Sequence, residues 1–336
     1  MKSRAFPRTG ALVGLTVSLT AWLTVSAAAQ RPTFPATPQP GVDALELLPV
    51  QGRVSLLGGA GANITIQAGD DGVVVVDTGL EGFADRVLAS IRTLSAKPVR
   101  LIVSTTIGVD HIGGNDAIAR TGEPLYLAQN SGSVTIPGAQ LVGHEQAALA
   151  LSRLEGPAAV PQRLWPFDTF FGPLKTVYAN GEAIEIHHVP GARTGGDVMV
   201  FFRGSDVVSA GDVYDTTAYP HFEATAGGSL QGMLDALNRI ITFAVPAFNQ
   251  MGGTRVIPGH GRISNESDVV EYRDMATIVR DRIRLLVSQG RTLDEVRRAG
   301  VTRDYDGIYG AASGPWTTDM FIGAVYQEEL KRRTTR

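Results

Sequence analysis

The stretch Val103–Asn115 reads V-S-T-T-I-G-V-D-H-I-G-G-N. A β-branched run, Val99 to Val103, leads into it and predicts a strand. Gly113 and Gly114 open a helix after it. Asp110 and His111 fall between strand and helix. Reactive groups in open α/β sheets collect at this place, just past the carboxyl end of a strand. A carboxylate and an imidazole side by side on a loop suit a borderline metal such as zinc. A turn Asp next to a surface His gives the same two letters.

Working outward, short apolar or alternating runs precede this stretch at Val54 to Leu57, Asn63 to Ala68 and Val73 to Val76. Gly-rich turns separate them and predict hairpins. The last run ends in Asp77-Thr78-Gly79. Gly82 to Ser95 places Phe83, Val87, Leu88, Ile91 and Leu94 on one helical face. Beyond the central loop, Asn115 to Arg120 reads as helix and Pro124 to Ala128 as strand. His144 to Leu154 reads as helix, and Ala158 to Lys175 as a flap or long loop. Asn180-Gly181, between Thr176–Tyr178 and Ala183–His188, is the best hairpin signal in the chain. Asp197 to Phe202 and Asp206 to Ser209 are further strands, the second ending in Ala210-Gly211-Asp212. Leu230 to Phe243 reads as helix. Thr254 to Ile257 is a strand ending in Pro258-Gly259-His260-Gly261. A long helix spans roughly Ser267 to Ser288. Thr292 and Glu295 have capping-box spacing, and Trp316 to Arg333 closes the chain as a helix. No fixed-period repeat is present. Strands followed by helices, twice over, predict two sheets covered by helices, an α/β (α+β) layered sandwich.

Four predicted strands thus end in a polar residue within a Gly-rich turn: Asp77, Asp110-His111, Asp212 and His260. Glycine lets the backbone turn sharply and approach a bound ion. Singly, each of these residues fits a turn or a cap. Together, three carboxylates and two imidazoles form a metal-type constellation.

The order D-T-G, x-D-H-x-G-G-N, T-G-G-D, S-A-G-D and I-P-G-H-G resembles the metallo-β-lactamase superfamily. The resemblance covers about Leu47 to Ile263 and implies an αββα sandwich with its site at one edge. It also implies a metal site, but the family's H-x-H-x-D-H run is altered. Here the run is Thr106, Ile107, Gly108, Val109, Asp110, His111. The family's later A-H-T-x-G-D reads Ala192-Arg193-Thr194-Gly195-Gly196-Asp197. A hydroxyl, a hydrogen and a guanidinium therefore replace the three ligands of the first metal site. The second site keeps Asp110, His111 and His260, with Asp212 in the bridging position. That set suffices for one zinc, or for iron or manganese. Asp77 matches a position that supports the ligands from behind.

Arg193 is open to several readings. It fills the space of the lost ion, neutralises Asp212, or holds a substrate carboxylate or phosphate by a forked pair of hydrogen bonds. It also fits a plain salt bridge in a dead site. His188 precedes Arg193 on a strand and faces either the site or a sheet edge. His187 faces the opposite side. His144 and His221 read as surface residues, and Tyr219 sits on a loop that borders the pocket. No G-x-S-x-G elbow, Walker loop or dinucleotide fingerprint is present.

Composition bounds the rest. Lys2, Arg4 and Arg8 precede 19 uncharged residues, Ala11 to Ala29, ending in Ala27-Ala28-Ala29. That pattern predicts a signal peptide over 1–29, cleaved before Gln30, and a periplasmic or secreted protein. An uncleaved anchor is the runner-up. Removing the three basic residues takes the formal charge from −3 to −6, which argues against nucleic-acid or anionic-membrane partners. With no cysteine, disulfides, thiolate nucleophiles and thiolate ligands are excluded. A Pro- and Gln-rich leader covers 30–45. A lactamase-like domain is expected over 46–264 and a helical extension packed on it over 265–336. The function implied is a hydrolase of a small, anionic lactam, lactone, thioester or phosphoester, with one metal, Asp110 and Arg193 acting at the bond and Thr106 nearby. A non-catalytic ligand-binding protein is the rival.

Overall fold

The computed structural model describes residues 44–126, 138–248 and 252–334. The expected signal and all but the end of the leader lie outside the described residues. Two sheets are seen. The first runs β1 (Glu46–Gln51), β2 (Val54–Gly58), β3 (Ile64–Gly69), β4 (Gly72–Val76), β5 (Val99–Val103), β6 (Gln140–His144), β7 (Asp168–Phe170), in that spatial order. It is antiparallel up to β4 and parallel from β4 to β7. The second sheet contains β8 (Leu174–Ala179), β9 (Glu182–His188), β10 (Val198–Phe202), β11 (Val207–Asp215), β12 (Arg255–His260) and β13 (Ser264–Asn265). Its spatial order is the reverse of the chain order, and its one parallel pair is β11 with β12.

The apolar runs explain the layering. Val74 and Val76 meet the second sheet, whereas Val73 and Val75 pack under helix α1 (Ala84–Leu94). On β10, Val198, Val200 and Phe202 point to the first sheet, and Met199 and Phe201 to the helices beyond. Strands covered on both faces read as continuous apolar runs, and each such fully buried side chain contributes about 1.5–3 kcal/mol relative to exposure. Short α2 (Val109–Ile112), then α3 (Asn115–Arg120) and α4 (Glu145–Ser152), lie along the first sheet's half of the chain. On the second sheet, α5 (Leu230–Phe243), α6 (Glu266–Ser288), α7 (Leu293–Arg298) and α9 (Thr318–Thr334) share one buried cluster, and α8 (Asp306–Tyr309) precedes α9. The result is helix, sheet, sheet, helix: the αββα sandwich expected from the sequence.

Local signals hold at several points. Asn180 (φ 55°) and Gly181 (φ 81°) turn the β8–β9 hairpin through two left-handed residues. Thr292 and Glu295 form the capping box of α7. Two expectations fail. Residues 124–126 are irregular, while 127–128 lie outside the described residues. The strand beside β5 is β6, whose Q-L-V-G-H has too few apolar residues to stand out. The Ala158 to Lys175 region is not all loop, since it includes β7 and the start of β8.

One turn aims the site. Gly211 has φ +53°, and the β11–β12 register shifts on both sides of it. A side chain there would meet Thr105 Oγ1 at 2.4 Å. This bulge turns the next residue, Asp212, toward β12. Gly211→Ala is expected to lower stability by about 1–3 kcal/mol, the strain of a forced left-handed residue. Urea denaturation reads it, and a variant as stable as the parent would refute the bulge argument.

Candidate metal centre

The functional side chains gather at one edge of the sheets: Asp77 just past β4, Asp110 and His111 on α2 after β5, Asp212 inside β11 and His260 at the end of β12. Strand β11 runs on to Asp215 instead of ending at position 212 as expected. Asp77 follows β4 in a left-handed conformation (φ 61°). Its carboxylate accepts hydrogen bonds from Thr105 N (2.8 Å) and Thr105 Oγ1 (2.6 Å), and lies 2.8 Å from His111 Nδ1. Gly113 and Gly114 allow this closeness, because a side chain at either would strike the Asp77-Thr78-Gly79-Leu80-Glu81 turn. Asn115, at the start of α3, locks the loop through Ser104 Oγ and the Leu164 carbonyl.

Asp110 and His111 ride on α2, Asp212 on β11 and His260 at the end of β12. His111 Nε2 lies 3.0 Å from Asp212 Oδ1. His260 Nε2 lies 3.2 Å from Asp110 Oδ2 and 3.5 Å from Asp212 Oδ1. Donor atoms of Asp110, His111 and His260 fall within 4.8 Å of one another. Burial would lower the His111 pKa, but Asp212 and Asp77 outweigh it and hold the imidazole well above its usual value. Burial likewise opposes Asp212's ionisation, and His111 and Arg193 overcome it. Burial would raise Asp110, yet the His260 hydrogen bond and the His111 charge hold it at about 2.

These residues fit a metal ion. His111 Nε2 and Asp212 Oδ1 are buried, and although close they are misaligned, so neither makes a hydrogen bond. His111 Nδ1 faces Asp77, so on exchanging its Nε2 proton for a metal the ring would offer a lone pair there, the arrangement metal-ligating histidines use. Two imidazoles and two carboxylates suit zinc, iron or manganese. The first-site positions do not fit a second ion. Thr106 Oγ1 is committed to Asp197 Oδ1 at 2.9 Å. Arg193 puts its guanidinium against the Asp212 carboxylate and reaches Glu223 Oε1 at 3.4 Å. A fixed cation there opposes another.

A cavity of about 630 Å³ opens above these donors, within the range of small-molecule sites. Asp110, Arg193, Asp212 and His260 line it. His188 does not. It stacks on His144 at 3.5 Å between ring centroids and bonds to the Gly195 carbonyl. His144 is buried, not on the surface, and caps α4. The Tyr219 loop does border the cavity through Thr217, Ala218 and His221, but the Tyr219 side chain does not. Its ring is 2% exposed in the helical core, and its hydroxyl bonds Thr302 and Asp306. Sequence reasoning missed His221, which lines the cavity and whose pKa burial and Arg193 push down to about 4. It also missed Asn63, whose amide holds the His260 turn through the Pro258 and Gly261 carbonyls, and Trp316. Asn63 follows a Gly-rich turn and Trp316 lies far beyond the last motif, so no local pattern marks them.

Comparison with known proteins agrees with this architecture. Residues 57–246 match the metallo-beta-lactamase superfamily. A linear primary-alkylsulfatase from a Pseudomonas species is 25% identical over 254 residues, 67% of this chain and 47% of that protein. Among solved structures, a stereoselective inverting sec-alkylsulfatase from Pseudomonas sp. aligns with a TM-score of 0.58 at 16% identity, covering 84% of this chain and 50% of its own. A metallo-beta-lactamase from Pontibacter korlensis aligns at 0.52 with 21% identity, covering 70% of this chain and 99% of its own. The chain thus spans about half the length of both alkylsulfatases.

Proposed function

The chain belongs to the metallo-beta-lactamase superfamily, and from that membership we propose that it is a hydrolase with one metal ion acting on a small anionic substrate. The observation that carries this reading is the convergence of Asp110, His111, Asp212 and His260 beside the cavity, which all but the buried His111 line, with two buried donor atoms lacking a hydrogen bond. The alkylsulfatase likeness adds a sulfate ester to the phosphoester, thioester, lactone and lactam classes.

A metal ion held by these four side chains would lower the pKa of water toward neutrality and polarise the bond under attack. The chain's own residues do the rest. Asp77 fixes the His111 ring through Nδ1. Arg193 balances the Asp212 charge and presents its remaining donors to an anion. Asp110, whose side chain is 32% exposed, orients the attacking water as a hydrogen-bond acceptor. It is too weak a base to keep the proton near neutral pH. One observation favours the rival, a non-catalytic binder: the Arg193–Asp212 pair already occupies the place of the family's first ion.

Metal-loaded protein offered 4-nitrophenyl sulfate, phosphate and acetate is expected to release 4-nitrophenol from at least one. Chelation and His260→Ala should both abolish the release. Bound metal with no turnover of any of the three would favour the binder.

A further inference from the structure

The cavity lining is mixed: beside the charged donors above, it has an apolar part, Val109, Ala311, Pro315 and Trp316. Most of that part comes from the segment between α8 and α9, outside the residues that match the family. Trp316 stacks on His221 with ring centroids 4.2 Å apart and planes 23° apart, and meets Phe222 edge-on. Its indole N–H is buried without a hydrogen-bond partner. Val109 is apolar yet 55% exposed. Exposed apolar groups beside a few convergent charges are the make-up of a small-molecule site.

We propose that Trp316, backed by His221 and joined by Val109, forms the subsite for the uncharged part of the ligand, and that this part is an aromatic ring attached to the anion. An anion at Arg193 places its substituent in the same cavity as this apolar part. A ring has the flat face that the indole can stack against, whereas a methyl group leaves that part in water. Calling the ligand a substrate rests on the hydrolase reading; its binding does not.

Calorimetry of the metal-loaded full chain with phenylphosphonate and methylphosphonate tests this, because neither probe is hydrolysed. Phenylphosphonate should bind about tenfold more tightly, the size of one stacked and buried ring. Trp316→Ala should erase that preference, and Trp316→Phe should keep most of it. Val109→Ser changes an exposed position that tolerates polarity, so it should reduce the preference even if Trp316→Ala fails to fold. Equal affinities in the parent, binding of neither probe, or a preference untouched by Val109→Ser or Trp316→Ala would overturn the subsite. A parent that prefers phenylphosphonate but turns over no ester would overturn the hydrolase reading and leave the subsite standing.

Discussion

Replacing His111 with alanine is expected to abolish metal binding and to remove about 3–5 kcal/mol of stability, the usual loss when a buried charged pair is left without one partner. His111 is fully buried between two carboxylates, 2.8 Å from Asp77 and 3.0 Å from Asp212. Without it, the two acids face each other with no cation between them. Thr105 still serves Asp77 through two hydrogen bonds, so Asp212 bears most of the loss. Urea denaturation of the metal-free variant measures the stability, and elemental analysis the metal. A His111→Ala protein as stable and as metal-rich as the parent would remove His111 from the centre.

Arg193→Ala has the next largest effect. Its side chain is 15% exposed and rests on Asp212. In the metal-free chain its loss leaves Asp212 short of a positive neighbour, and the destabilisation should again approach about 3 kcal/mol. Affinity for inorganic phosphate should fall by about 1.5–3 kcal/mol, the range for hydrogen bonds to charged groups. Bound metal should offset part of the stability loss but none of the affinity loss. Arg193→His alone should not create a second metal site, because Thr106 and Gly108 supply no imidazole. The triple variant Thr106→His, Gly108→His, Arg193→His should raise metal content toward two ions. Asp110 must then shift, since a side chain at position 108 would come within 2.7 Å of Asp110 Oδ1. Unchanged phosphate affinity in Arg193→Ala would reduce the guanidinium to a passive filler.

The fold was legible because its signals are local. Gly-Asp-Asp-Gly and Asn-Gly mark hairpins, and the Val runs of β4, β5 and β10 mark strands buried on both faces. Asp77, Asp110, His111, Asp212 and His260 could be placed together because each lies near glycine after an apolar run, although Asp110 and His111 are on α2 and Asp212 is inside β11. Residues set by tertiary packing were not legible. His144 and Tyr219 have polar atoms, which suggested surface and pocket, but both are buried: His144 Nδ1 caps a helix, and the Tyr219 hydroxyl bonds Thr302 and Asp306. β6 is a strand because β5 and β7 flank it, not because of its own five residues. Trp316 and His221 reach the cavity through a contact spanning nearly a hundred positions, and no window of sequence contains that.

The central claim is one metal ion held by Asp110, His111, Asp212 and His260. Elemental analysis of the untagged protein, purified without chelator and then reconstituted, tests it directly. The account predicts about one equivalent of zinc, iron or manganese per chain, lost in His111→Ala and in His260→Ala. No metal after reconstitution, or two equivalents in the parent protein, would contradict it.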